Sequence, residues 1–209
     1  MECLFITLIL SIIILYTIIN LQESNFSNPC TDYLSDNEFL EHMIPHHQVA
    51  VDMSLMLQPI SKNPTMQHIY RKIIWQQNYE IEVMKEMVDR LPKPISKTNI
   101  HNNYEKSKLS FYFPEKTKSK DGECDPLFFK PNDHKKHMEH MKLTDKSYLE
   151  HMIPHHQVAV DMCYRLLKHT KNNFLIGLCY DIIREQEYEI MIMNELLENP
   201  WNYQSNLIK

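Results

Sequence analysis

The sequence predicts an all-α fold: a four-helix bundle made of two repeated helical hairpins, preceded by an N-terminal transmembrane helix. Three observations carry this. Leu40–Met53 reads LEHMIPHHQVAVDM, and Leu149–Met162 repeats it unchanged at an offset of 109 residues. The offset holds into a second segment, where Gln77, Tyr79, Glu80, Ile81 and Met84 match Gln186, Tyr188, Glu189, Ile190 and Met193. The third observation is the near absence of glycine, 2 residues in 209, which argues against a turn-rich β fold and against phosphate-cradling loops.

The elements follow in order. Residues 3–21 carry no charge and have the length of a bilayer-crossing helix. No basic residue precedes them and no small-x-small cleavage site follows, so we expect an uncleaved single-pass anchor rather than a signal peptide. Either reading puts residues 22–209 in an extracytoplasmic or lumenal compartment, secreted if the segment is cleaved. Residues 22–32 are a polar spacer. Ser35-Asp36-Asn37-Glu38 is a capping box, predicting a helix to about Gln58. Asn63 with Pro64 predicts a second helix to about Arg90, before Pro92. These form repeat one, 33–91. Residues 92–141 read as a long unstructured linker rich in Lys, Pro, Asn and Ser. In repeat two, 142–200, Thr144 caps a helix to about Lys168, and Asn172 caps another ending near Glu198. Residues 201–209 form a tail.

A net charge of −5, spread along the chain, gives no basic face for nucleic acid. Cys30 and Cys124 precede the two repeats in irregular segments and are placed to pair in an oxidising compartment. Cys163 and Cys179 fall on the helices of repeat two, either paired or as small core residues. The absence of CxxC leaves little support for structural zinc.

The compositional outliers are 12 His and 13 Met. Packing does not demand identity at each core position, so a block repeated with its histidines and methionines in register points to a chemical requirement. His42 and His46, and likewise His151 and His155, lie four residues apart on one side of a helix. Met43 lies one turn from His47, and Met152 from His156. A thioether beside an imidazole suits copper, Cu(I) above all. With Met53 and Met162 these are the candidate metal ligands. The run DHKKHMEHM adds His137, Met138, His140 and Met141, with His134 beside them, as a flexible scavenging tract. Gln77, Glu80, Gln186 and Glu189 are candidates for orienting a metal-bound imidazole through a hydrogen bond. The alternative places Glu80 and Glu189 on the solvated surface. Pro45 and Pro154, inside the block, each remove one helical hydrogen bond, giving a kink beside the histidines or a gentle curvature.

The block FLEHMIPHHQVAVDM, followed by QxxEIxxM, resembles the domain-of-unknown-function family numbered 305, over Leu34–Met87 and Leu143–Leu196. The matching positions are Met43, Ile44, His46, His47, Gln48, Ala50 and Met53, then Met152, Ile153, His155, His156, Gln157, Ala159 and Met162. The resemblance implies a ferritin-like four-helix bundle and, from its exported members, copper binding. The resulting expectation is a membrane-anchored copper-binding or buffering protein, more a binder than an enzyme, with iron or zinc and self-association left open. Two alternatives stand beside it. One is a structural or partner-binding bundle without metal. The other is a ferritin-like oxidase, disfavoured because the second helices carry Gln-x-x-Glu without the Glu-x-x-His of carboxylate-bridged di-iron bundles.

Overall fold

The computed structural model describes residues 29–30, 33–91 and 124–199. The expected membrane segment 3–21 lies outside them, as do residues 92–123 and the tail. Among the described residues no helix is long and apolar enough to cross a membrane. They form an all-helical bundle without strands: α1 Asp36–Leu57, α2 Pro64–Arg90, a 3-10 turn Pro126–Phe129, α3 Pro131–Glu139, α4 Asp145–Leu167 and α5 Asn173–Glu198.

The helix ends are set by the predicted chemistry. Ser35 accepts from the Glu38 amide while the Glu38 carboxylate accepts from the Ser35 amide at 3.0 Å, so two otherwise unmatched donors are satisfied reciprocally. Thr144 and Ser147 do the same for α4. Asn63 and Asn172 each accept from two amides at the start of α2 and α5. Both α1 and α4 run unbroken through Pro45 and Pro154.

Helix α1 packs on α2, α4 packs on α5, and α1 packs on α4 to join the hairpins. The core divides into two apolar clusters. One gathers Met43, Ile81 and Met84 with Met162, Leu166, Leu175 and Ile182. It therefore unites the start of α1 and the end of α2 with the end of α4 and the start of α5. The other joins Met53, Leu57, Met66 and Ile73 with Leu149, Met152, Met193 and Leu196, the opposite ends of the same helices. Hence α1 and α4 run antiparallel, and the middle of each lies at the waist between the clusters.

The structure corrects the sequence reading at two places. Residues 92–141 are not wholly without structure: 126–139 hold the 3-10 turn and α3, both packed against α1. The His/Met tract is therefore not a flexible scavenger over that length. Pro131 starts its helix, and Phe128, His134 and Met138 are buried under it.

Cys30 and Cys124 form a disulfide with Cα atoms 5.7 Å apart, tying the spacer before α1 to the segment before α3. The His169 ring, two residues past the end of α4, donates from Nε2 to the Leu34 carbonyl at 2.8 Å, fastening the residues just before α1. Cys163 and Cys179 remain free thiols, buried in the first cluster.

Met84→Ala empties a fully buried position in this cluster and is expected to cost about 2–5 kcal/mol of stability in urea unfolding. Trp75→Ala, at a side chain 71% exposed, is expected to stay within about 0.5 kcal/mol of the parent.

Candidate metal centre

Position 46 and its repeat equivalent 155 touch. The rings of His46 and His155 stack with centroids 3.7 Å apart and planes 27° from parallel. A residue meets its own equivalent only on the axis relating the two repeats, so the waist carries a pseudo-two-fold axis. Both imidazoles are 0% exposed. All four of their ring nitrogens are buried without a hydrogen-bond partner. Burying an unmatched polar atom costs about 1–3 kcal/mol, so four in one contact call for a compensating role.

The next residue in each block is held differently. His47 donates from Nε2 to Glu80 Oε2 at 2.8 Å, and His156 donates to Glu189 Oε2 at the same distance. Each carboxylate fixes the proton on Nε2, which leaves the Nδ1 lone pair of His47 and of His156 buried and unmatched. Glu80 and Glu189 are thus buried partners rather than solvated surface. Gln77 and Gln186, one turn earlier, are buried but do not take this place: Gln77 Oε1 and both amide atoms of Gln186 are unmatched. The second oxygen of Glu80 accepts from Gln76 at 2.8 Å, whereas that of Glu189 pairs with Lys72 at 3.2 Å. Burial pushes the Glu189 carboxyl up, but the hydrogen bond from His156 and the hydrogen bond and charge of Lys72 together hold it below its ordinary value.

An aromatic wall closes one side. Phe128 presents an edge to His155 at 4.9 Å and to His151 at 5.1 Å, and Phe129 lies 5.2 Å from His46. His42 meets Phe129 edge-on at 5.9 Å. His151 has a different neighbour: its Nε2 lies 2.9 Å from Nε2 of His134, one donating to the other.

Burial, reinforced by neighbouring imidazoles, drives the His46 and His155 rings well below the ordinary histidine value. Burial and His134 bring His151 down to about 4. Burial and His137 lower His134. These rings are neutral at neutral pH, the state in which imidazole binds a metal.

The predicted ligands therefore separate into groups. His46, His155, His47 and His156 gather at the waist. Met43 and Met162 lie in one apolar cluster and Met53, Met152 and Met138 in the other. His137, His140 and Met141 are exposed. Among the described residues no three His, Cys, Asp or Glu side chains converge as a ready-made metal site. The residues that sequence reasoning missed are Phe128 and Phe129, together with the inward turn of His134. The four-residue spacing of His134 and Met138 after a helix-starting Pro131 is the signal that marks them as one buried stripe.

Comparison with known proteins gives a consistent picture. A sequence model of the family described as "Domain of unknown function (DUF305)" matches residues 36–197. "Uncharacterized protein L153" of Acanthamoeba polyphaga mimivirus is 41% identical over 56 residues, 27% of this chain and 37% of that protein's length. The chain thus spans well under half of that relative. Among solved structures, CopM in its silver-bound form superposes with a TM-score of 0.57 at 27% identity, covering 80% of this chain and 98% of that one. CopM in its Cu(II)-bound form gives 0.56, also at 27% identity, covering 78% and 96%. CopM in its Cu(I)-bound form gives 0.55 at 27% identity, covering 79% and 96%.

The lowered histidine values fix the sign of a pH effect. The folded chain resists protonation at His46, His155, His134 and His151, while the unfolded chain takes protons at its ordinary value of about 6.5. Stability is therefore complete above that value and is lost as the pH falls below it, for His151 down to about 4. Urea unfolding of the metal-free protein from about pH 7.5 to about pH 5 is expected to show a steady loss, with a slope approaching about 1.4 kcal/mol per pH unit for each ring kept neutral. A flat profile contradicts the assignment.

Proposed function

We propose that this chain, which belongs to the family described as Domain of unknown function (DUF305), is a metal-binding protein whose cargo is copper, taken as Cu(I) by ring nitrogens of His46 and His155 once the two rings turn out of their stacked arrangement. The observation that carries this is the stacked pair itself, with four ring nitrogens buried and unmatched on the axis between the repeats. Packing alone gives no reason to keep imidazole there, since an apolar side chain would remove the cost of the unmatched atoms. A soft monovalent ion is satisfied by two neutral imidazoles, and the surrounding apolar clusters and phenylalanine wall withhold the water that a harder ion demands.

His47 and His156 stand ready to assist through Nδ1, their orientation set by Glu80 and Glu189. Met43, Met53, Met152 and Met162 sit in the clusters on either side and supply soft thioethers to an ion passing through the core. The CopM forms that hold Cu(I), Cu(II) and silver, alike in fold and 27% identical, support copper as the cargo. The architecture we assign is the ferritin-like four-helix bundle of two hairpins. We place residues 22–209 outside the cytosol behind an anchor at 3–21, a reading supported by the Cys30–Cys124 disulfide, since such bonds persist in oxidising compartments.

The test is a Cu(I) titration of the parent and of His46→Leu/His155→Leu against a competing chelator. The double variant is expected to lose the tight site. It is also expected to unfold at higher urea when metal-free, by at least about 1 kcal/mol, because the unmatched nitrogens are gone. Unchanged copper affinity in the double variant would overturn the proposal.

A further inference from the structure

A second close imidazole pair stands beside the waist, and repeat symmetry does not explain it. His134 and His151 face each other with Nε2 atoms 2.9 Å apart and ring centroids 4.8 Å apart. His151 has His42 as its equivalent in repeat one, and His42 meets Phe129 instead. His134 comes from α3, which has no counterpart in repeat one. That helix is nine residues long and polar, and it buries only His134 and Met138. Giving one of two buried positions to an imidazole that faces another imidazole serves packing poorly, because an apolar residue would fill the place without a polar atom to match.

The electrostatic setting differs from that of the inner pair. The carboxylates of Asp125 and Asp52 act on His134, and Asp125 acts on His151 as well, both favouring positive charge there. His137 opposes them. Around His46 the acting side chains are other histidines alone. The outer pair thus has carboxylates acting on it, although burial and neighbouring imidazoles outweigh them, whereas the inner pair has imidazoles alone. The two are adjacent: His151 and His155 lie one turn apart on α4 with ring centroids at 6.4 Å, and Phe128 touches both. His155 brings two buried, unmatched nitrogens to this junction.

We propose that His134 and His151 form a second, outer site for a soft monovalent cation, next to the buried His46–His155 pair. This rests on the metal-binding reading above. Each Nε2 offers its lone pair once the proton held between them moves to Nδ1 of its own ring, a tautomer change that releases no proton. With metal–nitrogen distances of about 2 Å, the nitrogens must part from 2.9 Å to about 4 Å. Rotation of the His134 side chain supplies that movement.

The test uses Ag(I), a redox-silent probe, titrated by calorimetry into the full chain, into His134→Gln and into His46→Leu/His155→Leu. The parent is expected to take one equivalent more than His134→Gln, and the double variant is expected to retain the outer equivalent. In the parent, long-range proton–nitrogen spectra are expected to show Nε2 of both His134 and His151 shifting as that equivalent fills, a readout that does not depend on how the variant folds. If His134→Gln takes as much silver as the parent, or the His134 and His151 nitrogens stay unmoved while silver binds elsewhere, the outer site is wrong and the metal-binding reading stands. If no chain takes silver, that reading fails and this inference falls with it.

Discussion

The contact between His46 and His155 is the constraint on which the rest of the structure turns. It exists because α1 and α4 cross antiparallel at their midpoints, which brings one position of the repeat against its own copy. Apolar side chains fill the helices above and below the crossing, so the waist is sealed at both ends. In that setting an unmatched ring nitrogen has no water to turn to, and its cost persists until a ligand removes it. Identity of the two blocks then follows from geometry. A site on the axis takes half of its parts from each repeat, and a change in one copy spoils the whole.

Symmetry is kept where the site needs it and relaxed elsewhere. His47–Glu80 and His156–Glu189 are superposable in partner and distance, which gives both imidazoles the same tautomer. One shell outward the repeats diverge. Ser54 bonds the Tyr148 hydroxyl at 2.7 Å, and Tyr70 donates to Asp145 at 2.7 Å, building a polar network at one end of the bundle. The equivalents of Ser54 and Tyr70 are Cys163 and Cys179, a thiol pair in the other cluster, where burial pushes the Cys163 thiol up. The helix α3 breaks the symmetry further by delivering His134 to one repeat alone. The asymmetry puts the His134–His151 pair on one flank of the centre and Phe129 on the other.

Much of this was legible in the sequence, for physical reasons. Ser35, Asn63, Thr144 and Asn172 act through local hydrogen bonds, so the helix starts they mark are where the chain places them. The repeat offset paired Glu80 with Glu189 and His46 with His155 as equivalents. It carried no information on whether equivalents would touch, because contact depends on the crossing of α1 and α4, a tertiary property. Spacing within one helix pointed to His42–His46 and His151–His155 as the facing pairs. The closer contact is across helices, at 3.7 Å against 6.4 Å for His151–His155. The burial of α3 was hidden by its lysines, since a stripe of two residues on one short helix leaves almost no periodic signal.

The proposed site gives one ion to His46 and His155 together. The direct measurement is the nitrogen spectrum of the silver-loaded chain labelled at histidine. Resolved one-bond silver–nitrogen couplings are expected on a ring nitrogen of both His46 and His155 at the same equivalent. Couplings confined to His137 and His140, or none at the waist while silver is bound, would contradict it.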